Sequence, residues 1–312
     1  MKKIAFLILV HQDPDQVAVL LDKISSPSSH AFIHIDRKST RRPFIKALQS
    51  REDCTLLGVG DSSVIHWCGF GMPRATLSLL RAALVDDRLF ERFQLLSGAD
   101  TPIKTEAGID ARLVGDGEIM RVDRMLDANG DGHFDRCANR VFLGNVGLLN
   151  PRSRLQVLAR LARKVEGRLK RKTPAGLKVY YGPSWWCITR RAAEDILDFG
   201  ARRPDIIRWF SATRSADEML FQTILKAGPL ASKIAYDATR GDELEPTLHG
   251  SHYVDWSKPN PSLPRTLVEE DLAQVLGSEA LFARKIDPLR SKTLVELIER
   301  LRERPLERGS IS

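Results

Sequence analysis

The sequence predicts an open α/β sheet covered by helices on both faces, and three observations lead there. Short, nearly continuous apolar runs recur at 4–10 (IAFLILV), 31–36 (AFIHID) and 92–98 (RFQLLSG), as expected of strands buried on both faces. Stretches of helical spacing separate them, giving a β-α-β-α-β order. Each run also ends in a polar loop, and open α/β sheets bind ligands beyond the carboxyl ends of their strands.

The elements follow in order. "MKKIAFLILV" imitates a secretory leader, since two lysines precede seven apolar residues. It runs into "HQDPDQ" without a small-residue cleavage site, however, and is too short to span a bilayer, so it reads as the first strand. "PDQVAVLLDKIS" then places Val17, Leu20, Leu21 and Ile24 on one helical face. The second strand ends at His34, Asp36, Arg37 and Lys38. A helix over "RPFIKALQS", a short strand in "CTLLGV", a long helix over 72–90 and the strand "RFQLLSG" complete this half. Four loops, "HQDPDQ", "HIDRKS", "VIHWCGFG" and "SGADTPIKT", would converge on one crevice. No G-x-G-x-x-G or G-x-x-x-x-G-K-[ST] follows a strand, which leaves dinucleotide and P-loop chemistry without support.

Lys and Arg number 48 against 40 Asp and Glu, a formal charge of +8. An anionic partner is expected: a phosphorylated small molecule, an acidic glycan, a membrane surface or nucleic acid. Nucleic acid lacks a recognition motif to support it. Cys54, Cys68, Cys137 and Cys187 are dispersed and form no C-x-x-C pair, which suits a reducing compartment such as the cytoplasm.

After residue 110 the pattern loosens. "DGEIMRVDRM" supplies a strand, and Asp127, Asn129, Asp131 and Gly132 match the first half of an EF-hand loop. Ala138 stands where the bidentate Glu belongs, so a structural loop is expected there rather than a calcium site. In residues 152–172, Leu155, Leu158, Leu161, Val165 and Leu169 form a helical stripe among nine Arg or Lys residues and the lone Glu166. Two readings stay open: a surface helix packing its leucines on the core, or a peripheral contact with an anionic membrane face. "KVYYGPSWWCITRRAAEDILDF" reads as a turn at Gly182 and Pro183, an aromatic strand and a helix from about Arg190. "SADEMLFQTIL" offers Ser215 as an N-cap with Asp217 and Glu218 in the first turn. A tail at 288–312 carries a short amphipathic helix around Leu294, Leu297, Ile298 and Leu301, suited to capping the core or to mediating oligomers.

Seven stretches in this order, "IAFLILVHQDP", "FIHIDRKS", "FQLLSGADTPIKT", "GPSWWCITRRAAEDIL", "SADEMLFQTIL", "HYVDWS" and "LFARKID", closely resemble the core-2/I-branching β-1,6-N-acetylglucosaminyltransferase family, which includes peptide O-xylosyltransferases. The resemblance implies a GT-A fold, an open mixed sheet in one domain over 1–287, with a nucleotide-binding half (1–110) and an acceptor and catalytic half (111–287). It implies inverting transfer of GlcNAc or xylose from a UDP donor to a hydroxyl, with no metal. "SGADT" agrees, having one acid where most GT-A enzymes place D-x-D, so positive side chains must balance the leaving diphosphate. Lys285 matches the family's diphosphate-binding lysine. Arg265 lies near its partner arginine, with Arg284 as the alternative. Glu218 matches the catalytic base, and its place at a helix N-terminus is expected to favour the ionised form. Asp36 matches a uridine contact, Val10 and His11 should border the base, and Asp100 should sit near the donor sugar or order its loop. Trp185, Trp186, Tyr253 and Trp256 are apolar platforms suited to sugar faces, with Trp186, Tyr253 and Trp256 taken as the candidates for the acceptor sugar. The animal enzymes have a membrane anchor and many cysteines, neither of which is seen in this sequence. The expectation is therefore a bacterial cytoplasmic enzyme of surface-polysaccharide or glycolipid synthesis. A non-catalytic nucleotide- or glycan-binding protein on the same scaffold is the alternative.

Overall fold

A computed structural model describes residues 2–127, 132–140, 144, 156–166, 168–257 and 263–303. Strands β1 (Ile4–Val10), β2 (Ser29–Ile35), β3 (Cys54–Leu56) and β4 (Arg92–Ser97) run parallel, with Leu7 of β1 flanked by Phe32 and Leu95. All seven residues of β1 are buried because it has a strand on each edge and a helical layer on each face. Its period of two divides them between two cores. Ala5, Leu7 and Leu9 join Phe93, Leu95 and the helices Gly71–Leu84 and Arg190–Arg202. Ile4, Phe6, Ile8 and Val10 join Val17, Leu20, Leu21 and Ile24 of the helix Pro14–Ile24.

The second half of the chain makes the sheet mixed. After the two-residue β5 (Thr101–Pro102) come β6 (Glu118–Val122), β7 (Arg124–Leu126), β8 (Val179–Tyr181), β9 (Cys187–Thr189) and β10 (Ile234–Asp237). Strand β9 lies antiparallel between β4 and β6, and the large sheet runs β10-β6-β9-β4-β1-β2-β3. A four-stranded sheet combines β5 with β11 (Leu248–His249), β12 (His252–Val254) and β13 (Phe282–Arg284). Its own core contains Tyr253, Leu267 and Val275, and the helix Lys292–Glu303 packs Leu294 and Ile298 into it. The tail helix therefore caps the core.

Two boundaries differ from expectation. The long helix stops at Leu84, and the Asp86 carboxylate instead holds the Arg88 guanidinium and main chain in a turn. Ser215 has positive φ (52°) and makes no side-chain cap; a 3-10 turn, Ala216–Glu218, precedes the helix Leu220–Lys226. Asn129 and Asp131 of the EF-hand-like stretch lie outside the described residues, while Gly132–Phe134 form a helical turn. Among the described residues no helix is long and apolar enough to cross a membrane.

Candidate active site

The ends of β1 and β2 bring the first group together. Asp36 is buried; its main-chain N–H donates to the Val10 carbonyl at 2.8 Å, and its carboxylate accepts from the main-chain N–H of Lys38 at 3.0 Å and of Ile65 at 3.4 Å. The Ser39 hydroxyl donates to the His11 carbonyl at 2.7 Å, tying the two loops together. His11 is held below its ordinary pKa by burial foremost, with Lys285 and Lys38 adding to the effect and Asp36 opposing it. His11, Asp36, Lys38 and Lys285 therefore share one electrostatic neighbourhood. Val10 itself is buried and offers that neighbourhood its main chain.

The "SGADT" loop is built around Asp100. Its carboxylate, wholly inaccessible, accepts the Ser97 main-chain N–H at 2.6 Å and the Ser97 hydroxyl at 2.9 Å. It also lies 3.3 Å from the guanidinium of Arg284 and 3.3 Å from His252 Nε2. Burial opposes its charge, but Arg284, His252 and Ser97 together outweigh burial and hold it below the usual carboxylate range. Burial lowers His252 more than Asp100 raises it, so the ring is neutral. Its Nε2–H then donates to Asp100, and its Nδ1 accepts from the Ser251 hydroxyl at 3.0 Å. Ser251 in turn accepts from Gln94 at 2.8 Å. Arg284 stacks on Trp185, 3.7 Å from its ring centroid. Gly250 closes the arrangement: it has φ +64°, and a Cβ there would lie 2.0 Å from the Trp185 carbonyl oxygen. Asp100 thus orders its loop and neutralises a buried cation.

A second acidic group stands on the 3-10 turn. The Ser184 hydroxyl donates to Asp217 at 2.8 Å, the Gly182 main-chain N–H donates to the Glu218 carbonyl at 2.9 Å, and Tyr181 hydrogen-bonds the Glu218 carboxylate. Glu218 is half-buried, and the surrounding protein desolvates its carboxyl. Burial foremost, then the neighbouring Asp217, push its carboxyl well above the ordinary range, against the opposing pull of Tyr181 and Arg214. This reverses the expectation from the helix N-terminus: the helix proper begins two residues later, and burial wins. Burial and Glu218 also raise the Tyr181 phenol, which stays a neutral donor. Cys68 nearby is pushed up to about 11, chiefly by burial, and is a poor nucleophile.

One loop joins the two groups. Ile65 donates to Asp36, while the Cys68 carbonyl accepts the Ser215 main-chain N–H at 2.9 Å and Ser215 accepts that of Glu218 at 3.0 Å. Gly71 lets this loop press on the following helix, since a Cβ there would sit 2.2 Å from the Val64 carbonyl.

Several expected site residues lie elsewhere. Trp186 is fully buried against Phe221, and Tyr253 is 4% exposed in the third core; both are core residues, not sugar platforms. Adjacent residues of an extended chain point to opposite sides, and Trp185 is the one that meets Arg284 and His252. Trp256 is 44% exposed and stays available. Arg265 is gripped by Asp255, at 2.6 and 2.8 Å, and by Asp271. It fastens the chain beside Trp256 rather than presenting its fork to a diphosphate. Arg284 is likewise committed to Asp100 and Trp185. Tyr181 and Ser184 escaped sequence reasoning, with only their proximity to the Gly182-Pro183 turn to hint at them, and Lys38 was marked only as part of a strand-end loop.

A mixed, helix-flanked sheet with loop clusters at its strand ends is a GT-A-like scaffold, the scaffold of a nucleotide-sugar glycosyltransferase. A family model for the core-2/I-branching enzymes matches residues 4–276, and the chain belongs to that family. It is 22% identical over 95% of its length, and 67% of the relative's, to a human protein named as a probable β-1,3-galactosyl-O-glycosyl-glycoprotein β-1,6-N-acetylglucosaminyltransferase 7. It is 24% identical over 99% of its length to the mouse N-acetyllactosaminide β-1,6-N-acetylglucosaminyl-transferase, covering 75% of that protein. Mouse xylosyltransferase 2 is 23% identical over 95% of this chain, which spans 33% of that longer relative. The protein is a glycosyltransferase.

Proposed function

We propose that the protein transfers a sugar, GlcNAc or xylose, from a UDP donor to a hydroxyl of a glycan or lipid-linked glycan, with inversion and without a metal ion. The observation that carries the reading is Glu218: a half-buried residue whose carboxyl is raised by burial and by Asp217 and is hydrogen-bonded by Tyr181. A general base works best with a pKa near the operating pH, because it is then both ionised and proton-hungry. Glu218 takes the proton of the acceptor hydroxyl as that oxygen bonds to the anomeric carbon. The bond to the UDP oxygen breaks on the opposite face, and UDP departs with the electron pair. Lys285 balances the charge that develops on the diphosphate, beside His11 and Asp36 at the nucleotide end.

The state of Asp100 supports a metal-free reaction: both its oxygens face Ser97, His252 and Arg284, which leaves it poorly suited to hold a cation. The names of the relatives, two N-acetylglucosaminyltransferases and a xylosyltransferase, support the choice of sugars. The reading extends to bacterial surface-polysaccharide or glycolipid assembly on the cytoplasmic side, in keeping with four free cysteines. Thermal unfolding with a panel of UDP-sugars, in EDTA and again with Mn²⁺, tests it. One donor should stabilise the protein equally in both; stabilisation that requires Mn²⁺ refutes the metal-free site.

A further inference from the structure

The catalytic chemistry leaves one conspicuous surface unused. In the helix Gln156–Glu166, Val157, Leu158, Leu161 and Val165 are 78, 51, 60 and 43% exposed, and Leu169 just beyond is 44% exposed. At about 100° per residue the four helical positions fall within an arc of roughly 100°. The aliphatic stripe therefore faces solvent, contrary to the core-packing reading of this segment. Lys164 flanks the stripe, and Lys164, Arg168, Lys170 and Lys172 are all exposed.

The charge of this segment is singular. Residues 152–172 hold nine Arg or Lys and one Glu, a net +8, which equals the formal charge of the whole chain. Taking nine from 48 and one from 40 leaves 39 of each sign elsewhere. The rest of the molecule is formally neutral, and its excess charge lies in the one segment of sequence that also carries the exposed apolar stripe.

The segment is also anchored. Arg171 turns inward, donating to the carbonyls of Trp209 and Ala138 and, at 2.8 Å, to the Thr213 hydroxyl. Its guanidinium lies 4.7 Å from the centroid of the Trp209 ring. Burial lowers it only to about 10, so it stays a cation at neutral pH. The helix thus leaves the domain from a fixed point.

We propose that this helix docks the enzyme on an anionic lipid bilayer. The stripe enters the boundary between headgroups and acyl chains, and the flanking cations meet lipid phosphates. A second copy of the chain is a poor occupant, since two +8 segments repel. Nucleic acid would use the cations but has no need of four aliphatic side chains. The inference is independent of the donor and of Glu218, and its test uses neither.

The test is co-sedimentation of the full chain with vesicles of phosphatidylcholine alone and of phosphatidylcholine with phosphatidylglycerol. Binding is expected only to the anionic mixture, and is weakened by salt. K164Q/R168Q/K170Q should lose roughly 100-fold in affinity, at about fivefold per cation, and L158S/L161S/V165S at least about 10-fold. Both variants should keep the wild-type Tm, because the altered side chains are exposed. Three results overturn the proposal: no binding to either vesicle; wild-type affinity of the serine variant, which means ionic adsorption without an inserted stripe; or a stable dimer by light scattering that the serine variant abolishes.

Discussion

Replacing Asp100 by Asn separates the two roles open to this carboxylate. The change preserves shape but replaces one of two accepting oxygens by an amide NH2, which then faces donors: Arg284 and the Ser97 hydroxyl on the Oδ1 side, or His252 Nε2 and the Ser97 main-chain N–H on the Oδ2 side. Stripping a buried ion pair of one partner costs about 3–5 kcal/mol, because the remaining charge stays buried. Unfolding entropy of about 2.1 cal/mol/K per residue, over 312 residues, is about 0.65 kcal/mol/K, so the loss lowers Tm by about 5–8 °C. The assay is calorimetric or fluorescence-detected unfolding at neutral pH in EDTA. The double variant D100N/R284M should regain part of the loss, since the orphaned cation goes too. The sign with pH follows from the depressed pKa of Asp100: its contribution is present above the unfolded carboxylate value and is lost as pH falls through the folded one. The Tm gap between wild type and D100N should accordingly close on acidification. A D100N protein with the wild-type Tm, from a parent whose UDP-sugar stabilisation requires Mn²⁺, would refute the reasoning and make Asp100 a metal ligand.

Other predictions are simpler. Tyr181 lowers the pKa of Glu218 against the larger raising effects of burial and Asp217, so kcat/KM of the wild type should rise with pH through the raised Glu218 pKa. Y181F should move that limb to higher pH, and an unmoved profile would detach Tyr181 from the base. K285A should cost about 10–100-fold in donor KM or turnover, the value of a charged contact of about 1.5–3 kcal/mol, with Tm unchanged; unchanged kinetics would remove Lys285 from the site. W186A should destabilise by about 3–5 kcal/mol as a core truncation. W256A, at an exposed position, should leave Tm alone and raise acceptor KM; a W256A enzyme with normal acceptor kinetics would leave Trp256 without a role.

The parallel half of the fold was legible because its strands are apolar runs: β1, β2 and β4 lie within a residue or two of where the runs stand, while β3 stops three residues short of the end of "CTLLGV". The mixed character was reached only through the family resemblance, because β9 is only three residues long and its insertion between β4 and β6 is a long-range pairing without local signal. Glu218 was reached through its motif, yet the sign of its pKa shift was misjudged: the helix end is visible in "SADEMLF", the crowding by Tyr181 and Asp217 is not. Tryptophan neighbours in an extended segment differ only by which side they face, and the sequence does not mark which side is the cleft. Arg265 misled for a similar reason, since its carboxylate partners, ten and six residues away, are ordinary acids until the chain folds them together. The stripe at 152–172 was seen, but whether it faces the core or water depends on the domain it leaves.

The claim on which the catalytic account rests is that Glu218 is the base. Once a donor is identified by thermal shift, the rate of sugar transfer by E218Q should be measured against the wild type under saturating donor. Gln keeps the size of the side chain and removes its proton affinity, so kcat should fall about 10²–10⁴-fold while donor-induced stabilisation stays intact. Transfer by E218Q within a few-fold of the wild-type rate would contradict the assignment.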